Sequence, residues 1–261
     1  MNLICWNFLD FARIVNNMLP TILLFTFIAS ILSLFIVSVL LLQEKWIRRI
    51  SFYLVSFGAG ALLATGFTDT FPEAVALSHN SFLLTTIFIS LFFLIERVFM
   101  HFHHHEYEEE KKVRLPISFL MFGDALHNFI DGVSIATTFL VSFPLGLITS
   151  IAVFIHEIPH ELGDFGILLH SGYTRKKVLG FNILTAIAAF AGALIGFYFG
   201  EKISGSLPVL LSLTTANFIY LSLANLLPEI HDKVKKDAIV HVTLFFSGVL
   251  SMILLTQFLK G

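Results

Sequence analysis

The sequence predicts an all-α membrane protein with eight transmembrane helices, and three observations carry this. Of 261 residues, 56% are hydrophobic and 13% charged, with 30 Phe. The mean hydropathy is +0.86, a balance typical of polytopic membrane proteins and foreign to soluble domains. The apolar residues also come in runs of about 20, the length of helix that crosses about 30 Å of hydrocarbon. A net charge of −2 argues against a nucleic-acid partner. The single Cys5 excludes an intramolecular disulfide and a Cys-rich zinc ribbon. Residues 1–18 carry Asp10 and Arg13 but no basic segment ahead of an apolar one, so no cleavable signal peptide is expected.

In chain order, the first span is expected at 19–42, followed by Lys45, Arg48 and Arg49. The second, 50–72, closes at Asp69-Thr70-Phe71-Pro72-Glu73, and the third, 80–100, leads into a His/Glu-rich loop over 101–114. Spans four (116–142) and five (145–171) are joined by a turn too short to hold a domain. Arg175 to Lys177 precede span six (178–200). Span seven (207–230) closes at Asn225-Leu226-Leu227-Pro228-Glu229, and Lys233, Lys235 and Lys236 precede span eight (238–259). With Arg97, Lys111, Lys112 and Arg114 in the third loop, 13 of the 16 basic residues lie on one side. The positive-inside rule makes that side cytoplasmic and leaves both termini outside. Residues 1–261 thus form a single transmembrane domain, and the function sits within the membrane.

Between Arg114 and Arg175 there is no Lys or Arg, yet this apolar stretch contains Asp124, Asp131, Glu157, Glu161 and Asp164 with His127, His156, His160 and His170. An unpaired carboxylate at mid-bilayer costs on the order of 3 kcal/mol, so five cost about 15, comparable with the stability of a whole domain. Protons or bound cations must supply the missing positive charge. Four imidazoles beside the acids favour a transition metal of the zinc type.

On span four, Asp124, His127, Asn128 and Asp131 form one stripe roughly 100° wide at about 100° per residue. On span five, His156, Glu157, His160, Glu161, Asp164 and His170 fall within about 180°. The two stripes are expected to face each other near the bilayer midplane, with Asp124 and Asp164 toward the cytoplasm as steps on an exit path. A set of polar residues gluing helices together is the plainer alternative. Hydrogen bonding alone, however, does not neutralise five carboxylates. Taken singly, Asp124, Glu161, Asp164 and His170 can be supporting groups or line a water cavity.

His156-Glu157-Ile158-Pro159-His160 also matches H-E-x-x-H, in which two His bind zinc and the Glu is a general base. An intramembrane metalloprotease is therefore the enzyme alternative. Against it stand Pro159, which removes a backbone N–H and is expected to kink the helix inside the motif, the preceding His-Asn-x-x-Asp cluster, and more acids than one catalytic zinc needs.

His127-Asn128-Phe129-Ile130-Asp131-Gly132, followed by His156-Glu157-Ile158-Pro159-His160-Glu161-Leu162-Gly163-Asp164, resembles the paired signature of the ZIP (Zrt- and Irt-like) divalent metal transporters. The likeness extends to the eight-span plan and so to nearly the whole chain. It implies a three-plus-two-plus-three arrangement whose outer triplets are inverted repeats, with metal carried between them by spans four and five, and uptake toward the cytoplasm by elevator-like or rocking exposure. Carried over by position, His127, Asp131, His156 and His160 form the primary site. Asn128 and Glu157 line an adjacent second site that shares Asp131 and His160. Some bacterial relatives add a Glu on span six, where this sequence reads Ala188-Ala189-Phe190. The similar Pro-Glu endings of spans two and seven, at Pro72 and Pro228, are a faint echo of an inverted repeat.

Two outlying features keep two readings each. Asp69 and Glu73 either form an outer entrance for cations or are solvated acids at a helix end. His101, His103, His104 and His105 with the acids after them either hold departing metal or are a solvated run outside the bilayer. Zinc is the expected cargo because imidazole supplies nitrogen. Fe2+, Mn2+, Co2+ and Cd2+ suit the same mixed ligand chemistry. The expected partners are divalent metal ions and the lipid bilayer of a plasma membrane, with a homodimer left open.

Overall fold

The computed structural model describes residues 8–40, 44–104, 117–203, 205–228, 230 and 237–260, and among these every regular element is helical. Helix α1 (Phe8–Phe27) passes through a π-turn, Ile28–Leu32, into α2 (Ser33–Leu40). Likewise α3 (Glu44–Ala64) passes through a π-turn, Thr65–Thr70, into α4 (Phe71–Leu77). Then come α5 (Ser81–His104), α6 (Ile117–Val141), α7 (Phe143–His170), α8 (Arg175–Lys202), α9 (Ser206–Tyr220) with a π-turn at Leu221–Leu226, and α10 (Ala238–Lys260).

Among the described residues, 7 helical stretches are long and apolar enough to cross a membrane: Met18–Val39, Phe52–Leu77, Ser81–Val98, Phe143–Leu169, Arg175–Gly200, Ser206–Leu226 and Ala238–Lys260. The chain is a multi-pass membrane protein. The remaining helix, α6, has 25 residues but carries Asp124, His127, Asn128 and Asp131, and it is not among those seven. Its place in the bundle explains why it needs no apolar exterior: every residue from Ile130 to Phe139 is buried. Lipid-facing side chains are instead concentrated on the outer helices, for example Leu83, Leu94, Ile239 and Phe258, all exposed.

The helices pair as α6 along α8, α3 along α10, α5 along α9, and α7 against both α3 and α6. Counted as spans, two packs on eight and seven on three, while α1 touches α8. Exchanging spans one to three for six to eight maps this pattern onto itself, as an inverted repeat requires. The two Pro-Glu stretches agree: Pro72 and Pro228 each stand two residues beyond a π-turn of six residues, Thr65–Thr70 and Leu221–Leu226. A proline ring crowds the carbonyl four residues earlier and offers no N–H, which favours a widened turn just before it.

Two boundaries differ from the sequence expectation. Pro72 does not close span two: the π-turn at Thr65–Thr70 accommodates the carbonyl that its ring crowds, and the helix continues to Leu77. The connection between α6 and α7 is the single residue Ser142, which is extended and caps α7 by accepting the Leu145 N–H at 3.3 Å, with Pro144 in the first turn. α7 also remains helical across Pro159. The ring leaves the Ile155 carbonyl without its intrahelical donor but does not end the helix.

Close backbone approach sets the tightest pairing. A Cβ on Gly132 would run into the Ala189 carbonyl, one on Gly192 into the Phe129 carbonyl. The α6–α8 interface is thus a small-residue seam of the kind that lets membrane helices pack backbone to backbone. Gly60 and Gly248 do the same between α3 and α10, against Phe245 and Phe57.

Candidate metal centre

Antiparallel α6 and α7, hinged at one residue, bring matching positions to equal depth. Ser142 is equidistant along the chain from His127 and Glu157, from Asn128 and His156, and from Asp124 and His160. At 1.5 Å per residue, His127 and Glu157 lie roughly 22 Å along their helices from the turn, inside a hydrocarbon layer about 30 Å thick. The two polar stripes therefore meet at matching depth along α6 and α7.

His127, Asp131, His156 and Glu157 converge. His127 Nε2 lies 3.4 Å from Asp131 Oδ2 and 3.1 Å from Glu157 Oε1. His156 Nε2 lies 3.0 Å from Asp131 Oδ2 and 3.5 Å from Glu157 Oε1, and the two Nε2 atoms are 3.2 Å apart. Four donors bound to one tetrahedral zinc at about 2.1 Å sit about 3.4 Å from one another, so five edges of that tetrahedron are already in place. Asp131, His156 and Glu157 are each about 1% exposed. In addition, Glu157 Oε2 has no hydrogen-bond partner among the described residues.

Outer contacts aim these donors. His156 Nδ1 is 3.1 Å from the Ala152 carbonyl. A carbonyl only accepts, so Nδ1 carries the proton and the Nε2 lone pair faces the cluster. Asn217, on α9, donates its Nδ2–H to Asp131 Oδ1 at 3.1 Å, leaving Oδ2 for the centre. A cavity of about 250 Å3 between α5, α6 and α9 opens onto His127, lined among others by Phe92, Glu96, Leu126, Asn217 and Tyr220. Across it, the Tyr220 hydroxyl donates to Glu96 Oε2 at 2.5 Å. Sequence reading missed Asn217, Glu96 and Tyr220, since a lone polar residue in an apolar run carries no signal that separates it from helix glue.

His160 departs from the position its motif implies. Its ring packs on His127, centroids 4.5 Å apart, but Nδ1 faces Asp124 Oδ1 at 3.8 Å and Asp164 Oδ2 at 4.0 Å. In this structure Glu157 stands with His127, Asp131 and His156, and His160 stands with Asp124 and Asp164. The carboxylates nearest its Nδ1 are Asp124, at equal depth on α6, and Asp164, one turn further along α7. Asn128 donates its Nδ2–H to Asp124 Oδ1 at 2.8 Å, and its own Oδ1 is buried without a hydrogen-bond partner among the described residues. Glu161 is buried with neither carboxylate oxygen hydrogen-bonded among the described residues. His170 is the last residue of α7.

Asp69 has a basic partner. It is fully buried, accepts from Thr256 Oγ1 at 2.9 Å and lies 3.5 Å from Lys260 Nζ, which also reaches Glu73 at 3.3 Å. His101, His103 and His104 fall at the end of α5, while His105 and the acids after it lie outside the described residues.

The structure is a polytopic helical bundle with a mixed imidazole and carboxylate cluster, able to hold a metal ion, buried between two of its helices. A sequence model described as ZIP zinc transporter matches residues 101–256, and the chain belongs to that family. It is 42% identical over 110 residues to the zinc transporter ZIP10 of Mus musculus, covering 42% of this chain and 13% of that protein. It is 38% identical over 133 residues to the zinc transporter ZIP6 of Homo sapiens, 49% of this chain and 18% of that one. With the zinc transporter ZIP4 of Mus musculus it shares 42% identity over 117 residues, 45% of this chain and 18% of that one. The matched region therefore spans less than a fifth of the length of these curated relatives.

Proposed function

We propose that this protein carries divalent transition-metal ions, zinc first, across a membrane into the cytoplasm, with His127, Asp131, His156 and Glu157 as the transport site. The observation that carries this reading is the spacing of the four donors at tetrahedral-edge distances inside the bundle. Two nitrogens and two oxygens suit zinc, and Fe2+, Mn2+, Co2+ and Cd2+ after it. The zinc named in the relatives' own descriptions supports the same cargo. The cavity beside His127 serves as a route to the site. The basic loops set the direction, with those loops in the cytoplasm, both termini outside, and the plasma membrane as the setting.

Asn217 then tunes the site without touching the ion. Asn217→Ala frees Asp131 Oδ1 and is expected to lower zinc affinity by about 10–100-fold, the usual effect of losing an outer partner. Equilibrium titration of the purified protein checks this, and an unchanged affinity would mean that the hydrogen bond does not orient Asp131.

The protease alternative requires the two His of the H-E-x-x-H stretch to bind one zinc and Glu157 to stand free as base. Here His156 and His160 point into different clusters, and Glu157 Oε1 is itself among the four donors. Glu157→Gln is accordingly expected to slow zinc entry into dye-loaded proteoliposomes without abolishing it, and neither protein is expected to cut a membrane-spanning peptide. Cleavage by the wild type that disappears in the variant, with no zinc entry by either, would reverse the assignment.

A further inference from the structure

The cavity beside His127 carries a charge that the four donors do not use. Glu96 stands half-buried in its wall, on α5, and its Oε2 accepts the Tyr220 hydroxyl at 2.5 Å. Among the described residues no Lys or Arg is paired with it, and Arg97, next along the chain, lies over the Phe93 ring at 5.4 Å instead. A carboxylate set among apolar side chains is costly without a positive partner. The complementary occupant is a cation that brings apolar surface of its own.

The lining is ordered by depth. Glu96 is two residues short of the end of the apolar stretch Ser81–Val98, and Phe122, in the second turn of α6, is 54% exposed at the rim. Leu126 and Ile130 follow one and two turns further in, on the same wall as His127. Phe92 and Tyr220 add rings with centroids 5.9 Å apart and planes at 43°, and aromatic faces attract an ammonium group. An amphiphile in a bilayer keeps its charged head at the hydrocarbon edge and its tail inside. The cavity repeats that order, with the carboxylate at the edge and apolar walls deeper. Its volume of about 250 Å3 falls just below the roughly 300–1,000 Å3 of drug-sized sites, so the guest is small.

We propose that this cavity is a binding site for a small amphipathic ammonium ion from the bilayer, its head paired with Glu96 and its apolar body against Phe92, Phe122 and Leu126. The ammonium displaces the Tyr220 hydroxyl as the donor to Glu96 Oε2. Bound there, the guest stands between the opening and His127 and slows zinc entry. The slowing rests on the reading of the cavity as the route to the metal site, whereas the binding does not.

Equilibrium dialysis of radiolabelled phenylbutylamine against the full chain in lipid nanodiscs, with the uptake of protein-free nanodiscs subtracted, tests the binding. The probe is protonated near neutral pH, since an alkylamine titrates at about 10.4. Saturable binding is expected, weaker by about 10–100-fold in Glu96→Gln, the range for losing a hydrogen bond to a charged group. Glu96→Asp keeps the charge and should recover most of it, which separates pairing from a folding defect. Phenylbutanol, with the same body and no charge, should bind more weakly and respond little to Glu96→Gln. In dye-loaded liposomes, zinc entry by the wild type should fall as the amine is added, and Glu96→Gln, scaled to its own amine-free rate, should resist. No saturable binding would overturn the site. Equal binding of the amine by wild type and Glu96→Gln, or of the alcohol and the amine by wild type, would overturn it too, leaving an apolar hollow for lipid chains. Glu96-dependent binding without any effect on zinc entry would keep the site and overturn the cavity as the route. Such binding in a wild type that admits no zinc would overturn the transport reading alone.

Discussion

His127→Ala is expected to stop zinc entry and to lower zinc affinity by roughly a hundredfold or more, beyond the 10–100-fold range of outer partners. Its Nε2 makes three of the close donor distances of the centre, to Asp131, Glu157 and His156. Among the described residues no other imidazole stands ready to replace it, because His160 directs Nδ1 to Asp124 and Asp164. The loss should leave folding intact, since the ring borders the cavity between α5, α6 and α9 and does not fill the apolar core. Zinc titration and uptake by reconstituted protein of wild-type size-exclusion behaviour check this together. Wild-type uptake in the variant would remove His127 from the transport site.

Gly132→Val is expected to act in the opposite way, through the fold and without touching a ligand. Even a Cβ at Gly132 meets the Ala189 backbone, so α6 and α8 would have to move apart along their seam. Overpacking usually costs about 1–3 kcal/mol, and where backbone is struck the upper end or beyond is expected. Against a total stability of about 5–15 kcal/mol, this should lower the thermal midpoint by several degrees and reduce the yield of monodisperse protein. Gly123→Ala, on the same helix with nothing within 4 Å of the added carbon, is the control and should be neutral or slightly stabilising. Equal unfolding midpoints for Gly132→Val and wild type would contradict the seam.

That second result bears on what the sequence made legible. The all-helical membrane class and the order of the helices follow from local periodicity, and the described helices agree with both, seven stretches being long and apolar enough to cross a membrane. The stretch from His127 to Gly132 was readable as a site, but its two ends do different work. His127 and Asp131 join the donor cluster, whereas Gly132 lets α8 approach closely. Nothing in the spacing distinguishes these roles, because the contact is with Ala189, far along the chain.

The same limit explains the other differences. The Asn217–Asp131 and Thr256–Asp69 hydrogen bonds join residues 86 and 187 positions apart, and helical periodicity carries no information on which helices become neighbours. His160 was placed by its motif beside Asp131. In the structure its Nδ1 lies nearest Asp124 on one helix and Asp164 on the other, a proximity that depends on the one-residue connection at Ser142. Asp69 reads as an exposed helix-end acid when Pro72 is taken as a terminator. Once the π-turn carries the helix through to Leu77, the same residue becomes a buried partner of Lys260.

The most direct test of the central claim is zinc entry into sealed liposomes that contain the purified wild-type protein and an entrapped zinc-sensitive dye. A saturable signal above protein-free vesicles is expected, with cadmium or cobalt competing and calcium failing to compete, since a hard-oxygen cation gains little from two imidazoles. Zinc entry no faster than in protein-free vesicles, from protein shown to be folded and inserted, would contradict the account.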